Sequence, residues 1–174
     1  MKNIPIKLAG MTLFLDDNKD SFATGDVTLP SLTPMTTTVS GMGILGEIDL
    51  PDAGHYGAIQ VGIAWRTINK DAFALVSSSV KKLEIRGAFK EYDVTGTKFV
   101  TKSIKIVIKG VGKGIDLGTL AQNAETGTSN TVEVLYIKIF IDGDEVFELD
   151  KLAYISKTNG VDDQEDVRKA LGLA

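Results

Sequence analysis

Three stretches of this 174-residue chain carry residue types that could do chemistry. The first, Asp16-Asp17-Asn18-Lys19-Asp20, offers oxygen ligands at alternate positions, as a calcium loop does. Its sixth position is Ser21, where the sharp turn requires Gly, and its twelfth is Val27, where a bidentate Glu is needed. A solvated turn between two strands is the better reading. The second, Gly110-Val111-Gly112-Lys113-Gly114, has glycines that let backbone amides approach an anion. A phosphate loop places its first Gly four residues ahead of Gly-Lys, follows Lys with Ser or Thr and opens a helix. Gly114-Ile115-Asp116 does none of this, so a flexible strand exit is expected. The third is His55, in Asp52-Ala53-Gly54-His55-Tyr56-Gly57. One His and no Cys cannot assemble the usual transition-metal sites or a Cys–His pair, and no Ser sits in a nucleophile-elbow context. Paired carboxylates such as Asp162-Asp163 suit a helix N-terminus without catalysis. The expectation is a protein with no catalytic residues, no metal and no cofactor.

Composition narrows the function classes further. Hydrophobic residues make up 43% and charged residues 24%, which excludes a disordered chain. The absence of Cys excludes a disulfide framework. Nineteen Lys and Arg against 23 Asp and Glu give a net charge of −4, no excess with which to grip phosphates. Lys105, Lys109 and Lys138 interrupt the most apolar segments, so no membrane span is expected. Met1-Lys2-Asn3-Ile4-Pro5 leads into mixed sequence rather than a signal-peptide core, and a cytoplasmic site of synthesis is expected.

The elements that would hold such residues are mostly strands. Ile59, Val61, Ile63 and Trp65 alternate with Gln60, Gly62, Ala64 and Arg66, and Leu83, Ile85 and Phe89 alternate with charged neighbours. Ile104, Ile106 and Ile108 face one side, with Ser103, Lys105 and Lys109 on the other. Asp93-Val94-Thr95-Gly96 makes 80–110 a hairpin. Thr131 to Ile141 is a strand that turns at Asp142-Gly143 and returns over Glu145 to Asp150. Shorter strands are expected at Thr12–Leu15, Ala23–Leu29 and Met35–Ser40, with Pro30 and Pro34 confining that region to edges or loops. Asn69 can cap a short helix through Ala72, Phe73, Leu75 and Val76, and a second helix runs from about Asp162 to Leu171 and stops at Gly172. The Gly-rich segments 41–58 and 110–130 are expected to be long loops.

One strand resists an ordinary sheet. Leu135, Ile137, Ile139 and Ile141 make one face of 132–141 apolar, and Val132, Val134, Tyr136 and Phe140 the other. An antiparallel strand of a lone domain usually wets one face. A second sheet, the Phe73 helix or a neighbouring subunit must cover both.

Several of these residues also form an ordered series of motifs. They are Val27-Thr28-Leu29-Pro30-Ser31-Leu32-Thr33, then Ser40-Gly41-Met42-Gly43-Ile44-Leu45-Gly46, then Tyr136-Ile137-Lys138-Ile139 through Asp142-Gly143 to Glu148-Leu149-Asp150, and finally Asn159-Gly160-Val161-Asp162, Arg168 and Leu171-Gly172-Leu173. In this order and spacing the chain resembles the major tail tube protein of contractile-tailed bacteriophages and phage-tail-like bacteriocins. Over 59–110 the likeness is only a strand–helix–strand pattern.

The resemblance implies a single domain over 1–174, a mainly β, antiparallel sandwich or barrel-like fold with a short central and a short C-terminal helix. It implies hexameric rings stacked into a hollow tube, the inner tube of a contractile tail and a channel for DNA during ejection. The implied location is the virion tail, assembled in the host cytoplasm without membrane anchoring. The implied partners are further copies, the tail sheath protein, baseplate or hub and tape measure proteins, and transient double-stranded DNA in the lumen. The inter-ring loop maps onto 41–58, with Gly41, Met42, Gly43, Leu45, His55 and Tyr56 as contact candidates. The N-terminal segment 1–10 and a C-terminal arm over 156–174, with Asn159, Val161, Val167, Arg168 and Leu171, would add subunit contacts. Six copies would carry about −24, which suits a conduit that does not hold DNA. A delivery tube of the type VI secretion kind and a monomeric β-barrel ligand-binding module are the alternatives.

Overall fold

The computed structural model describes residues 3–17 and 24–173. Asn18, Lys19, Asp20 and Ser21 of the first acidic run, Ala23 of the second expected strand, and Met1 and Lys2 of the N-terminal arm lie outside the described residues.

The chain is mainly β. Its strands are β1 (Ile4–Leu15), β2 (Thr24–Thr28), β3 (Pro34–Ser40), β4 (Glu47–Tyr56), β5 (Gln60–Trp65), β6 (Val80–Asp93), β7 (Lys98–Asp116), β8 (Thr128–Ile141), β9 (Asp144–Asp150), β10 (Ile155–Thr158) and β11 (Val161–Asp162). Two short helices are α1 (Lys70–Ala74) and α2 (Glu165–Ala170). All pairing is antiparallel, in the order β1-β6-β7-β8-β9-β10-β11, with β5 also on β8 and β2 on β5. Strands β3 and β4 form a separate hairpin.

Strand β8 organises the body, because it changes partner halfway. Residues 128–133 pair with β5 and residues 136–141 with β9. At the changeover Tyr136 opposes Lys109 while Val134 opposes Gly110, so Leu135 is an extra residue in a bulge. The bulge reverses which side chains point inward. Asn130, Val132 and Val134 are buried before it, and Ile137 after it. This corrects the expectation that both faces of 132–141 need a cover. One continuous inner face is apolar in two registers, and the outer residues Tyr136 and Phe140 are half-buried under lysines.

The core gathers Leu13 and Leu15, Val61, Ile63 and Trp65, Leu83 and Ile85, Ile106 and Ile108, Val132, Val134, Ile137 and Leu149. Ala72 and Leu75 close it from the α1 side, whereas Phe73 is 51% exposed and Val76 also points out. The cap is as expected: Asn69 Oδ1 accepts the Ala72 amide at 2.8 Å. Within the core, Trp65 Nε1 donates to Asn130 Oδ1 at 2.7 Å, so the indole is buried without an orphan donor.

Other expectations shift in their boundaries. Segment 110–116 is strand, not loop, and only 117–127 connects β7 to β8. The glycines there serve close packing rather than flexibility. A Cβ on Gly112 would collide with the Leu75 carbonyl, and one on Gly110 with the Glu133 carbonyl. Segment 47–56 is strand β4, which leaves 41–46 as the loop. The Asp142-Gly143 turn has positive φ at both residues, 52° and 92°, as a type I′ hairpin requires.

Candidate assembly surfaces

The hairpin β3–β4 projects from the body, and its nearest neighbour outside itself is β10. Thr37 opposes Leu50, Thr38 opposes Asp49, Val39 opposes Ile48 and Ser40 opposes Glu47. Side chains alternate along each strand, so Val39, Ile48 and Leu50 share one face while Thr38, Ser40, Glu47 and Asp49 share the other. On the polar face Thr38 Oγ1 donates to Asp49 Oδ1 at 2.6 Å, while Thr37, which opposes Leu50 on the other face, donates to Asp52 Oδ2 at 2.8 Å. The apolar face is not covered. Ile48 is 47% and Leu50 49% exposed.

The tip gathers Gly41, Met42, Gly43 and Leu45. Gly41, Gly43 and Gly46 have φ of 146°, 95° and 109°, a backbone that L side chains rarely adopt. The Ile44 amide closes the turn on the Gly41 carbonyl at 3.0 Å. This geometry leaves Met42 and Leu45 wholly exposed, at 107% and 108%.

His55 and Tyr56 sit elsewhere, at the base of the hairpin. Tyr56 packs edge-on against Phe147 with ring centroids 6.2 Å apart and joins the margin of the core. His55 is exposed and lines a cleft of about 190 Å³ with Asp150, Lys151, Tyr154 and Gln164. Gln164 is buried and its Nε2 donates to the Ala53 carbonyl at 2.5 Å. Gly54, at φ 75°, leaves room for it, since a Cβ there would lie 2.6 Å from Gln164 Cγ. Gln164 is the residue the sequence reading missed. It looks like any polar residue before a helix, and only the fold brings it to the hairpin, 111 positions away in sequence.

The C-terminal candidates gather around the same base. Asn159 (φ 49°) and Gly160 (φ 83°) turn β10 into β11, leaving Val161 exposed. Helix α2 is shorter than expected and is not capped by Asp162. Its N-cap is Gln164, whose side chain makes no cap bond. Asp162 instead accepts Arg168 Nη2 at 2.6 Å and the Gln164 amide at 3.0 Å, while Arg168 Nη1 donates to the Tyr154 carbonyl at 2.7 Å. The Arg168 guanidinium, with the Gln164 amide, holds the Asp162 carboxyl below its ordinary range. Gly172 ends the helix at φ 69°, with Leu173 N bonded to Arg168 O and Gly172 N to Lys169 O. Val167 and Leu171 are left exposed.

The outer face of β8–β10 is by contrast electrically closed. Lys138 lies 2.7 Å from Glu145 and 3.4 Å from Glu148, and Lys157 3.8 Å from Glu148. Burial and then the hydrogen bond to Glu148 push the Tyr136 hydroxyl up to about 12. No group of His, Cys, Asp and Glu that could hold a metal occurs among the described residues.

Comparison with known proteins gives a family and a relative. Residues 5–172 match the family described as phage tail tube protein FII. The chain is 28% identical over 179 residues to the tail tube protein of Escherichia phage P2, covering 98% of this chain and 99% of that protein.

Proposed function

The chain belongs to the phage tail tube protein FII family, and from that membership we propose that it forms rings of six that stack into the inner tube of a contractile tail. It is a structural protein of the virion tail and not an enzyme. The finer reading is mechanical: a stiff cylinder, driven by a surrounding sheath, whose lumen conducts double-stranded DNA. Baseplate or hub and tape measure proteins would set its start and length.

One observation carries this reading beyond the family. The subunit has surfaces that a solitary domain would not leave open. Strand β1 ends the main sheet with an edge that is irregular at Pro5–Lys7 and Leu8–Gly10 but regular over Gly10–Leu15, and the hairpin holds an apolar face away from the body. Such edges are normally blunted or covered, and joining sheets between copies around an axis covers them. In this reading Gly41, Met42, Gly43 and Leu45 make the inter-ring contact at the hairpin tip. His55, Tyr56, Asn159, Val161, Val167, Arg168 and Leu171 contribute around its base, where the C-terminal arm lies.

Electron microscopy and sedimentation of the purified protein test it. Rings with six-fold symmetry and tubes are expected. A protein that stays monomeric at high concentration, even with tail initiation partners, overturns the reading.

A further inference from the structure

The net charge of −4 conceals an uneven distribution. On the face of β6 and β7 turned away from the buried Leu83, Ile85 and Ile108, cations face cations across the strands. Lys82 opposes Lys109, Arg86 opposes Lys105, and Lys90 opposes Lys7 of β1. The pairs recur every four residues along β6, about 13 Å apart at strand rise, so all three share one face. Like charges directly opposite in a ladder repel each other and destabilise a sheet.

Little on the subunit offsets them. Glu84 stands between the pairs, 2.5 Å from Arg86 Nε and 4.0 Å from Lys105 Nζ, so one carboxylate serves two cations. Asp16 and Asp17, just past β1, take Lys81 at 3.2 Å and Lys82 at 2.5 Å. Lys7, Lys90 and Lys109 have no carboxylate at ion-pair distance among the described residues. Lys90 Nζ donates instead to Thr101 Oγ1 at 2.9 Å, and Lys109 Nζ lies 5.1 Å from the centre of the Tyr136 ring. Phe14 and Phe140 flank Arg86 and Lys105 in the same way, at 5.7 and 5.3 Å. The rings hold the cations in line without neutralising them.

Shape decides what such a face accepts. The pairs form a strip about 26 Å long, from Lys82 to Lys90, and about 10 Å wide across three strands. Glu145 and Glu148 on β9 and Asp16 and Asp17 past β1 border it. A DNA duplex, whose major groove alone is about 12 Å wide, would overhang the strip and set phosphates over those carboxylates. An extended polypeptide fits it. Side chains on one face of a strand repeat at about 6.6 Å, so acidic residues four positions apart meet successive pairs.

We propose that this strip docks an extended acidic segment of another protein, with carboxylates over the Lys82–Lys109, Arg86–Lys105 and Lys7–Lys90 pairs. Opposite charge supplies the register, and the like-charge pairs are the cost the sheet bears for it. The inference does not rest on the tube reading: it concerns a sheet face, not the hairpin or the β1 edge by which copies would join.

The probe is a fluorescent twelve-residue peptide of alternating Glu and Thr, which sets every Glu on one face when extended. Its anisotropy is followed with the purified full-length protein, beside a labelled DNA duplex. Saturable peptide binding is expected, at least tenfold weaker at about 500 mM than at about 50 mM salt. Lys90→Glu, Lys105→Glu and Lys109→Glu together turn each like pair into an opposite pair. That variant should lose at least tenfold in peptide affinity and melt no lower than the parent. Lys70→Glu, Lys98→Glu and Lys113→Glu together make the same charge change off the strip and should leave affinity within about threefold. A strip variant that melts lower or fails to fold shows that these cations serve the fold. A duplex bound more tightly than the peptide assigns the face to nucleic acid, and peptide binding that disappears on assembly assigns it to a second copy. Each of these, or no saturable binding at low salt, overturns the proposal.

Discussion

The body and the β3–β4 hairpin are made of the same strand geometry and the same aliphatic residue types, yet they differ in what lies against them. In the body Val61, Ile63, Leu83, Ile108, Val132 and Ile137 are sealed from water on all sides. In the hairpin Ile48 and Leu50 keep about half their surface, and Met42 and Leu45 keep all of it. Alternation decides which face of a strand is apolar; it does not decide what covers that face. Burying such side chains is worth about 1.5–3 kcal/mol each. The body gains that on folding, whereas the hairpin can gain it only on association.

The sharpest break in this comparison is Ile137→Asp. The side chain is fully buried on the inner face of β8, and an unpaired charge there costs several kcal/mol, comparable with a total stability of about 5–15. Loss of the cooperative melt in circular dichroism is expected; a soluble protein that melts normally would show that the core is misplaced. Ile139, half-buried and nearer the end of β8, is the less decisive position.

Gly54→Ala probes the junction between the two regions. Positive φ alone costs about 1–2 kcal/mol for an L residue, and the new methyl would press on Gln164. A melting temperature lowered by a few degrees is expected, with faster amide exchange in 53–56 and α2. Unchanged exchange there would mean that Gln164 does not hold the hairpin.

Acid tests the C-terminal side of that junction. The Asp162 carboxyl is depressed in the folded protein, so its contribution is present above the unfolded value, about 3.9, and is lost as pH falls through the folded value. Amide exchange of α2 should rise below about pH 4, and Asp162→Asn should reduce that pH dependence to the part contributed by Glu165, which Lys169 also holds below its ordinary range.

The smallest effect on folding belongs to Ile48→Ser with Leu50→Ser. Thermal stability should change by no more than about 0.5 kcal/mol, as for exposed surface positions, while tube formation is lost. A large drop in melting temperature would show that the hairpin is packed within the subunit.

Much of the fold was legible because it follows from local rules. Period-two runs located β5, β6, β7 and β8, Asp142-Gly143 set the β8–β9 turn, and Asn69 capped α1. Segments 41–58 and 110–130 misled for one reason. Glycine reads as loop, but Gly110 and Gly112 are required by backbones packed against them, and Gly54 by the Gln164 side chain. The bulge at Leu135 escaped notice because a parity change and a two-faced strand give the same apolar string. Of the candidate surfaces, the tip residues 41–45 came from the family resemblance, which maps the inter-ring loop onto 41–58, while Gln164 carried no signal.

By itself the sequence determined the strand-rich class, the absence of cysteine and catalytic groupings, and the family motifs. Each is a property of residues close together along the chain or of their totals. Only the tertiary structure decided that β8 serves two partners around a bulge, that Gln164 clamps Ala53, and that the hairpin stands clear of the body. Those facts depend on which distant backbones and side chains meet, and that is settled by packing and hydrogen bonding over long sequence separations.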